Sequence, residues 1–133
     1  MLHDLLSRYL EEIEAEIKKF EDAYVERYEE EILSSNRLNL RIRVRFKTGY
    51  LIELNEAVIV EADQLQRLNY RYHFQDGQNN LVFRYDNTPH FPDLDNFPYH
   101  KHLSSSIESF EEPSVVEVIK EAAKLLNKSS KYK

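Results

Sequence analysis

Hydrophobic and polar positions follow a helical period at the two ends of the chain and a period of two between them. Over residues 4–20, apolar side chains recur at spacings of three and four, which predicts an amphipathic helix with an acidic outer face. From residue 38 to residue 86 apolar and polar residues alternate, which predicts antiparallel strands with one buried face. Helical spacing returns over residues 113–127, so a second helix follows the strands.

Turn residues divide the middle of the chain into strands. Turns are predicted at residues 48–49 and at residues 76–77, where glycine follows threonine or aspartate. Residues 23–33 suit either a helix or a strand, and the Ser-Ser-Asn turn after them favours a strand. Residues 58–62 either continue the preceding strand beyond a bulge at residues 55–56 or form a short separate strand.

The predicted fold class is α+β, a single domain over residues 1–133. We expect a twisted antiparallel sheet of about four to six strands, with an N-terminal and a C-terminal helix packed on one face. The expected elements are a helix over 1–20, strands over 23–86, an ordered proline-rich loop over 87–112, a helix over 113–127 and a frayed tail over 128–133.

Composition narrows the class of protein. The absence of cysteine excludes disulfides, a thiolate nucleophile and a thiolate zinc site. No apolar run approaches the roughly 18 residues of a membrane span, so we expect a cytoplasmic protein that does not enter membranes. The net charge is −6, but residues 1–34 carry eleven acidic and four basic side chains, and the remainder thirteen acidic and fourteen basic. Because the negative charge is concentrated at the N-terminus, the total does not exclude nucleic acid as a partner.

Chemically capable residues concentrate in residues 84–102. This stretch holds three of the four prolines and three of the five histidines, His90, His100 and His102. Its prolines predict a rigid, irregular segment. The hairpin before it makes Arg71, His73, Arg84 and Asp86 cross-strand neighbours on the polar face, and the segment would bring its histidines and Lys101 over that face. Two more arginines of the polar face, Arg41 and Arg43, lie on an earlier strand.

Three functions suit these residues. Cleavage of RNA through the 2′-hydroxyl needs a base, an acid and cations on the phosphate, which histidine, arginine and lysine provide. A metal site could use His100 and His102 with Asp86 and His90, although the neighbouring cations Lys101 and Arg84 disfavour it. A binding module without chemistry would use the aromatic residues as anchors. These are Tyr85, Phe91, Phe97 and Tyr99.

The segment YRYHFQDGQNNLVFRYDNTPHFPDLDNFPYHKH, residues 70–102, resembles the signature of the TumE-type toxins of prokaryotic toxin–antitoxin modules. Its YRYHFQD, FRYDNTPH and FPYHKH parts each match that pattern, and Phe91 stands where the pattern commonly has a second histidine. The matched positions are Arg71, His73, Arg84, Asp86, Asn87, His90, His100, Lys101 and His102. The resemblance implies a growth-inhibiting toxin neutralised by an antitoxin, usually a DNA-binding protein encoded beside it.

We therefore expect a toxin that acts on RNA as a metal-independent ribonuclease without a cofactor. His100 or His102 would serve as base and acid, with His90 as a further candidate. Asp86 would orient an imidazole or an arginine, and Lys101 would hold the reacting phosphate together with Arg71 and Arg84. The substrate would be held by Arg71, His73, Arg84 and Asn87, with Arg41 and Arg43. The alternative is a toxin that inhibits or scaffolds a cellular target by binding alone, and a homodimer is compatible with either.

Overall fold

The structure is a computed structural model that describes residues 1–87, 99–103, 106–109 and 113–131. His90 and the rest of residues 88–98 lie outside the described residues. The elements, in chain order, are α1 (Asp4–Lys18), β1 (Ala23–Ser34), β2 (Arg37–Phe46), β3 (Leu51–Glu61), β4 (Gln64–Gln75), β5 (Leu81–Asp86), β6 (His100–Leu103), β7 (Ile107–Ser109) and α2 (Val115–Lys131).

The strands form one antiparallel sheet in which spatial order equals chain order, β1 to β7. The predicted α+β fold, with an antiparallel sheet and a helix at each end of the chain, is confirmed. Residues 23–34 form a strand, as the turn after them indicated. β3 is continuous and has no bulge at residues 55–56; the irregularity is on β4, where Leu68 is the extra residue between Asn69, opposite Ala57, and Arg67, opposite Val58.

Two segments of the expected loop are strands, so the described sheet has seven strands. β6 pairs with β5, and β7 pairs with β6. Residues 99–112 contain no proline, so every amide there can donate to a ladder. α2 extends to Lys131, beyond the expected end at residue 127.

Both helices pack on the same face of the sheet, here called the helix face. Leu6, Leu10 and Ile13 of α1 join the core there with Ile119 and Ala122 of α2. The opposite face is called the open face. α2 begins after Ser114, whose hydroxyl accepts a hydrogen bond from the Glu117 amide at 3.1 Å and so caps the helix N-terminus. No helix in the described parts of the chain is long and apolar enough to cross a membrane.

The two glycines of the chain meet where two hairpin turns touch. Gly49 has φ +93°, a conformation that favours glycine. A Cβ added at Gly49 would lie 3.2 Å from the Gly77 Cα, and one at Gly77 would lie 3.0 Å from the Thr48 carbonyl oxygen. The β2–β3 turn therefore packs against the β4–β5 turn without room for a side chain at either glycine.

Candidate functional site

Strand register places most of the predicted residues in two neighbouring rows on the open face. Residues paired across antiparallel strands share a face, so each row can be followed from strand to strand. The first row contains Arg41, Asn55, Arg71, Asp86 and His100. The second row contains Arg43, Glu53, His73, Arg84 and His102. The sheet thus brings Arg71, His73, Arg84 and Asp86 to one surface, as the period-two pattern predicted. His102 contacts Asp86 there, from a strand rather than from the expected loop.

Asp86 is the centre of this surface. It is buried, at 5% relative exposure, although it ends a strand on the polar side. Its Oδ2 lies 3.1 Å from Nε2 of His102 and 3.6 Å from Nε of Arg84. The side chain of His102 is only 13% exposed and that of Arg84 27%. A carboxylate removed from water needs such partners, so Asp86 fixes the positions of the imidazole and the guanidinium.

The imidazole of His73 is hydrogen-bonded through only one of its two nitrogens within the described residues. Its Nε2 lies 2.9 Å from Oε1 of Gln75, whose Nε2 donates to Asn79 Oδ1 at 2.9 Å. Because an amide oxygen only accepts, Nε2 of His73 carries the proton and Nδ1 has a lone pair. Nδ1 is buried and has no hydrogen-bond partner among the described residues. Burial lowers the pKa of His73, and the positive charges of Arg71 and Arg84 lower it further.

The arginines of the two rows differ in how far they are engaged. Arg71 is exposed, opposite Asp86 in the register, and makes no ion pair with another described residue. Arg43, in contrast, is hydrogen-bonded to Glu26 at 2.8 Å and to Glu53 at 3.4 Å. Strands lie about 4.8 Å apart, so β2 is about 14 Å from β5 and Arg43 is remote from Asp86. Arg41 on the same strand is exposed and equally remote.

Lys101 lies on the helix face, so the expectation that it joins the histidines is wrong. Its Nζ is 2.9 Å from Oε2 of Glu121 in α2 and 4.8 Å from the centre of the Tyr85 ring. The Tyr85 hydroxyl donates to the other carboxylate oxygen of Glu121 at 2.6 Å. Successive residues of a strand point to opposite faces, which separates Lys101 from His102. Its contacts tie β6 to α2.

Asn87 has a structural partner. Its Oδ1 accepts the Tyr70 amide at 3.1 Å, and its Nδ2 donates to the Leu68 carbonyl at 3.4 Å. The Asn87 side chain therefore binds backbone groups of β4 in the place of a further β5 residue, just after β5 ends. His100 is placed by its backbone, opposite Asp86 and Ser109. No group of three or more potential metal ligands occurs among the described residues.

A buried carboxylate on the helix face was missed by the sequence analysis. Glu56 is 4% exposed and accepts the Tyr9 hydroxyl at 2.5 Å and the Tyr72 hydroxyl at 2.7 Å. Arg67 donates to the Tyr72 hydroxyl at 3.1 Å and also to the Pro113 carbonyl. Burial, together with the Glu56 charge, raises the pKa of Tyr9 and of Tyr72 well above its usual range. The sequence feature that could have revealed this carboxylate is the position of Glu56 among the apolar residues of β3 that face the helices.

Comparison with known protein families decides the class of this chain. A family model described as Toxin TumE matches residues 8–130, nearly the whole sequence. The chain belongs to the TumE family. TumE proteins are toxins of toxin–antitoxin modules, so an antitoxin is the expected partner, and the resemblance seen in residues 70–102 is confirmed. No match was found among curated proteins or among solved structures.

Proposed function

We propose that this TumE-family toxin is a ribonuclease whose site surrounds Asp86 on the open face. The observation that carries the proposal is the buried Asp86 carboxylate, 3.1 Å from His102 and flanked by Arg84 and Arg71. An imidazole held by a carboxylate and placed beside cations is suited to proton transfer at a phosphodiester.

The proposed reaction needs two proton transfers and one cationic clamp. One imidazole takes the proton of a 2′-hydroxyl, whose oxygen then attacks the phosphorus. The bond from phosphorus to the 5′-oxygen breaks, a second imidazole protonates that oxygen, and the products are a 2′,3′-cyclic phosphate and a 5′-hydroxyl. His102 and His100 are the two candidates: His102 contacts Asp86, and His100, two residues before it on β6, is paired with Asp86 in the strand register.

The surrounding residues support this assignment. When His102 donates from Nε2 to Asp86, its Nδ1 is left with the lone pair that a base requires. Arg71 and Arg84 would neutralise the phosphate, and His73, opposite Arg84 in the register, would line the substrate site between them. His90 is retained as a further imidazole. Because imidazoles perform both proton transfers, the proposal is metal-independent and cofactor-free.

In this proposal, the toxin cleaves RNA in the cytoplasm and is inhibited by a DNA-binding antitoxin. A homodimer is compatible with this function. The alternative remains a toxin that inhibits its target by binding alone. The two are distinguished by whether removal of one imidazole abolishes toxicity while the fold and antitoxin binding are retained.

The experiment is induction of the chain in a bacterial host, with growth recorded and total RNA separated on a gel. His102→Ala and Arg84→Ala test the site. The matched controls are His3→Ala, at the residue before α1, and Arg27→Ala on β1, which remove the same side chains elsewhere. We expect growth arrest and fresh RNA fragments for the original chain and both controls, and neither for the two site variants.

Cleavage of RNA by the purified chain should persist in excess EDTA and leave 2′,3′-cyclic phosphate ends. Arrest with intact RNA would refute the ribonuclease and favour inhibition by binding. Arrest that survives both site variants would place the toxic surface away from Asp86. Urea unfolding of each variant confirms that a loss of toxicity is not a loss of folding.

A further inference from the structure

The first strand of the sheet presents a long unpaired edge. β1 has twelve residues and, among the described strands, pairs only with β2. Ala23 and Tyr28 are partly buried, and the other ten residues of β1 are exposed. None of its outward-pointing amides has a hydrogen-bond partner among the described residues. Edges of this length are usually paired, covered or shortened in native proteins, since they accept further strands.

Exposed apolar side chains concentrate on the same strand. Of six exposed large hydrophobic residues in the described parts of the chain, four belong to β1, namely Tyr24, Val25, Ile32 and Leu33, with exposures of 47% to 60%. They occupy the two ends of the strand. Apolar side chains grouped at an open edge indicate a surface that a partner covers.

The side chains in the middle of β1 are mostly acidic, which favours a basic partner. It carries four glutamates, at positions 26, 29, 30 and 31, against one arginine, a net charge of −3. A second copy pairing antiparallel at this edge would bring the glutamate clusters together, and like charges opposite each other destabilise a strand pair. An added strand with lysine or arginine at its centre and apolar residues at its ends would complement β1.

We propose that β1 is the docking edge for an extended basic segment of the antitoxin, which adds to the sheet as a further strand. Backbone hydrogen bonds to the open edge would supply affinity, and Glu29, Glu30 and Glu31 would select lysine or arginine. The partner is an antitoxin because the chain belongs to a toxin family. The proposal does not depend on ribonuclease activity, since β1 lies four strands, or about 19 Å, from Asp86 on β5.

The first test uses synthetic eight-residue peptides. A fluorescein-labelled peptide with four lysines at its centre and two valines at each end is titrated into the purified chain, and amide shifts are recorded by NMR. A matched peptide, N-methylated at alternate residues on the edge that would face β1, keeps charge and side chains but cannot pair there. We expect shifts confined to β1 and its neighbour β2, and no comparable binding of the methylated peptide. Equal binding of the two peptides, or shifts centred elsewhere, would overturn strand addition.

The second test reverses charge on the chain. Glu29→Lys with Glu31→Lys should weaken peptide binding by about tenfold, because attractive cross-strand pairs become repulsive. Glu11→Lys with Glu12→Lys makes the same change in net charge on the outer face of α1 and should alter binding less than twofold. An equal loss in both variants would show only long-range attraction and overturn the assignment to β1. Concentration-dependent dimerisation abolished by the β1 change would instead show a second copy at this edge.

A cellular readout connects the edge to the antitoxin itself. Co-expressed cognate antitoxin should rescue growth of cells making the original chain or the α1 variant, and should fail to rescue cells making the β1 variant. Rescue of all three would overturn the proposal. If the chain is toxic without cleaving RNA, this experiment still tests the edge, so failure of the proposed function and failure of this inference are separable.

Discussion

The network around Glu56 predicts that one buried hydroxyl contributes far more to stability than an exposed hydroxyl with the same chemistry. In Tyr72→Phe, the ring remains and only the hydroxyl is lost, which donates to Glu56 at 2.7 Å and accepts from Arg67 at 3.1 Å. Tyr72 is fully buried and Glu56 is 4% exposed, so water cannot replace the lost bond. The matched control is Tyr28→Phe, whose hydroxyl donates to exposed Glu30 at 2.8 Å.

The magnitude follows from the burial of the carboxylate. A hydrogen bond to a charged group contributes about 1.5–3 kcal/mol, and Tyr9 still donates to Glu56 in the variant, so we expect a loss of about 2 kcal/mol in the free energy of unfolding. At a urea dependence of about 2 kcal/mol per molar, the unfolding midpoint should fall by about 1 M. The control should change stability by less than about 0.5 kcal/mol.

Urea unfolding at neutral pH, followed by far-UV circular dichroism, measures both variants against the original chain. Equal midpoints for Tyr72→Phe and Tyr28→Phe would refute the reasoning, because Glu56 would then be protonated or accessible to water. A pH series adds a second check. Since the folded state raises the pKa of Tyr72, stability is fully present below the ordinary tyrosine pKa of 10.0 and is lost as the pH rises above it. Tyr72→Phe should weaken that alkaline loss.

Three further predictions concern the site and the fold. Folding lowers the pKa of His73, so the unfolded imidazole binds a proton at a higher pH than the folded one does. The free energy of unfolding should therefore fall as the pH drops below the ordinary histidine pKa of 6.5. In His73→Gln, that free energy should depend less on pH between about pH 7 and pH 5. Lys101→Met should lower the free energy of unfolding, measured with urea, by about 1 kcal/mol, because the ion pair with Glu121 is lost, and should leave toxicity unchanged. Loss of toxicity in a folded Lys101→Met variant would show that Lys101 belongs to the toxic site. Gly49→Ala should lower thermal stability by about 1–2 kcal/mol, because φ is +93° and the new Cβ would approach Gly77 at 3.2 Å, and an unchanged melting temperature would contradict this.

The alternation of residues was sufficient to predict the sheet and much of its polar surface. Arg71, His73, Arg84 and Asp86 share a face because antiparallel neighbours keep the parity of the pattern, and the hairpin turn fixed their register. Lys101 was misplaced because the prolines before it suggested a loop, in which parity has no meaning. Once residues 100–103 form a strand, consecutive side chains must alternate.

The polar core shows where such reasoning stops. The period of β3 places Glu56 in the apolar row, but the sequence gives no sign that Tyr9, from a distant helix, reaches the same point as Tyr72. The bulge considered at residues 55–56 does not occur, because the extra residue is Leu68 of the neighbouring strand β4. Contacts between elements far apart in sequence depend on packing angles that the pattern of one segment does not contain.

The strands of the sheet lie in the same order as they occur in the chain, and this order affects when an antitoxin can bind the toxin during synthesis. Each strand lies beside the one synthesised just before it, so hairpins can form in succession as the chain leaves the ribosome. The last described element, α2, supplies Glu121, which holds Tyr85 and Lys101 on the reverse of the strands that carry Asp86 and His102. A nascent chain therefore lacks the support for those strands until α2 has been synthesised, whereas β1 leaves the ribosome before them. An antitoxin that pairs with β1 could engage the toxin on the ribosome, before the toxin is able to act.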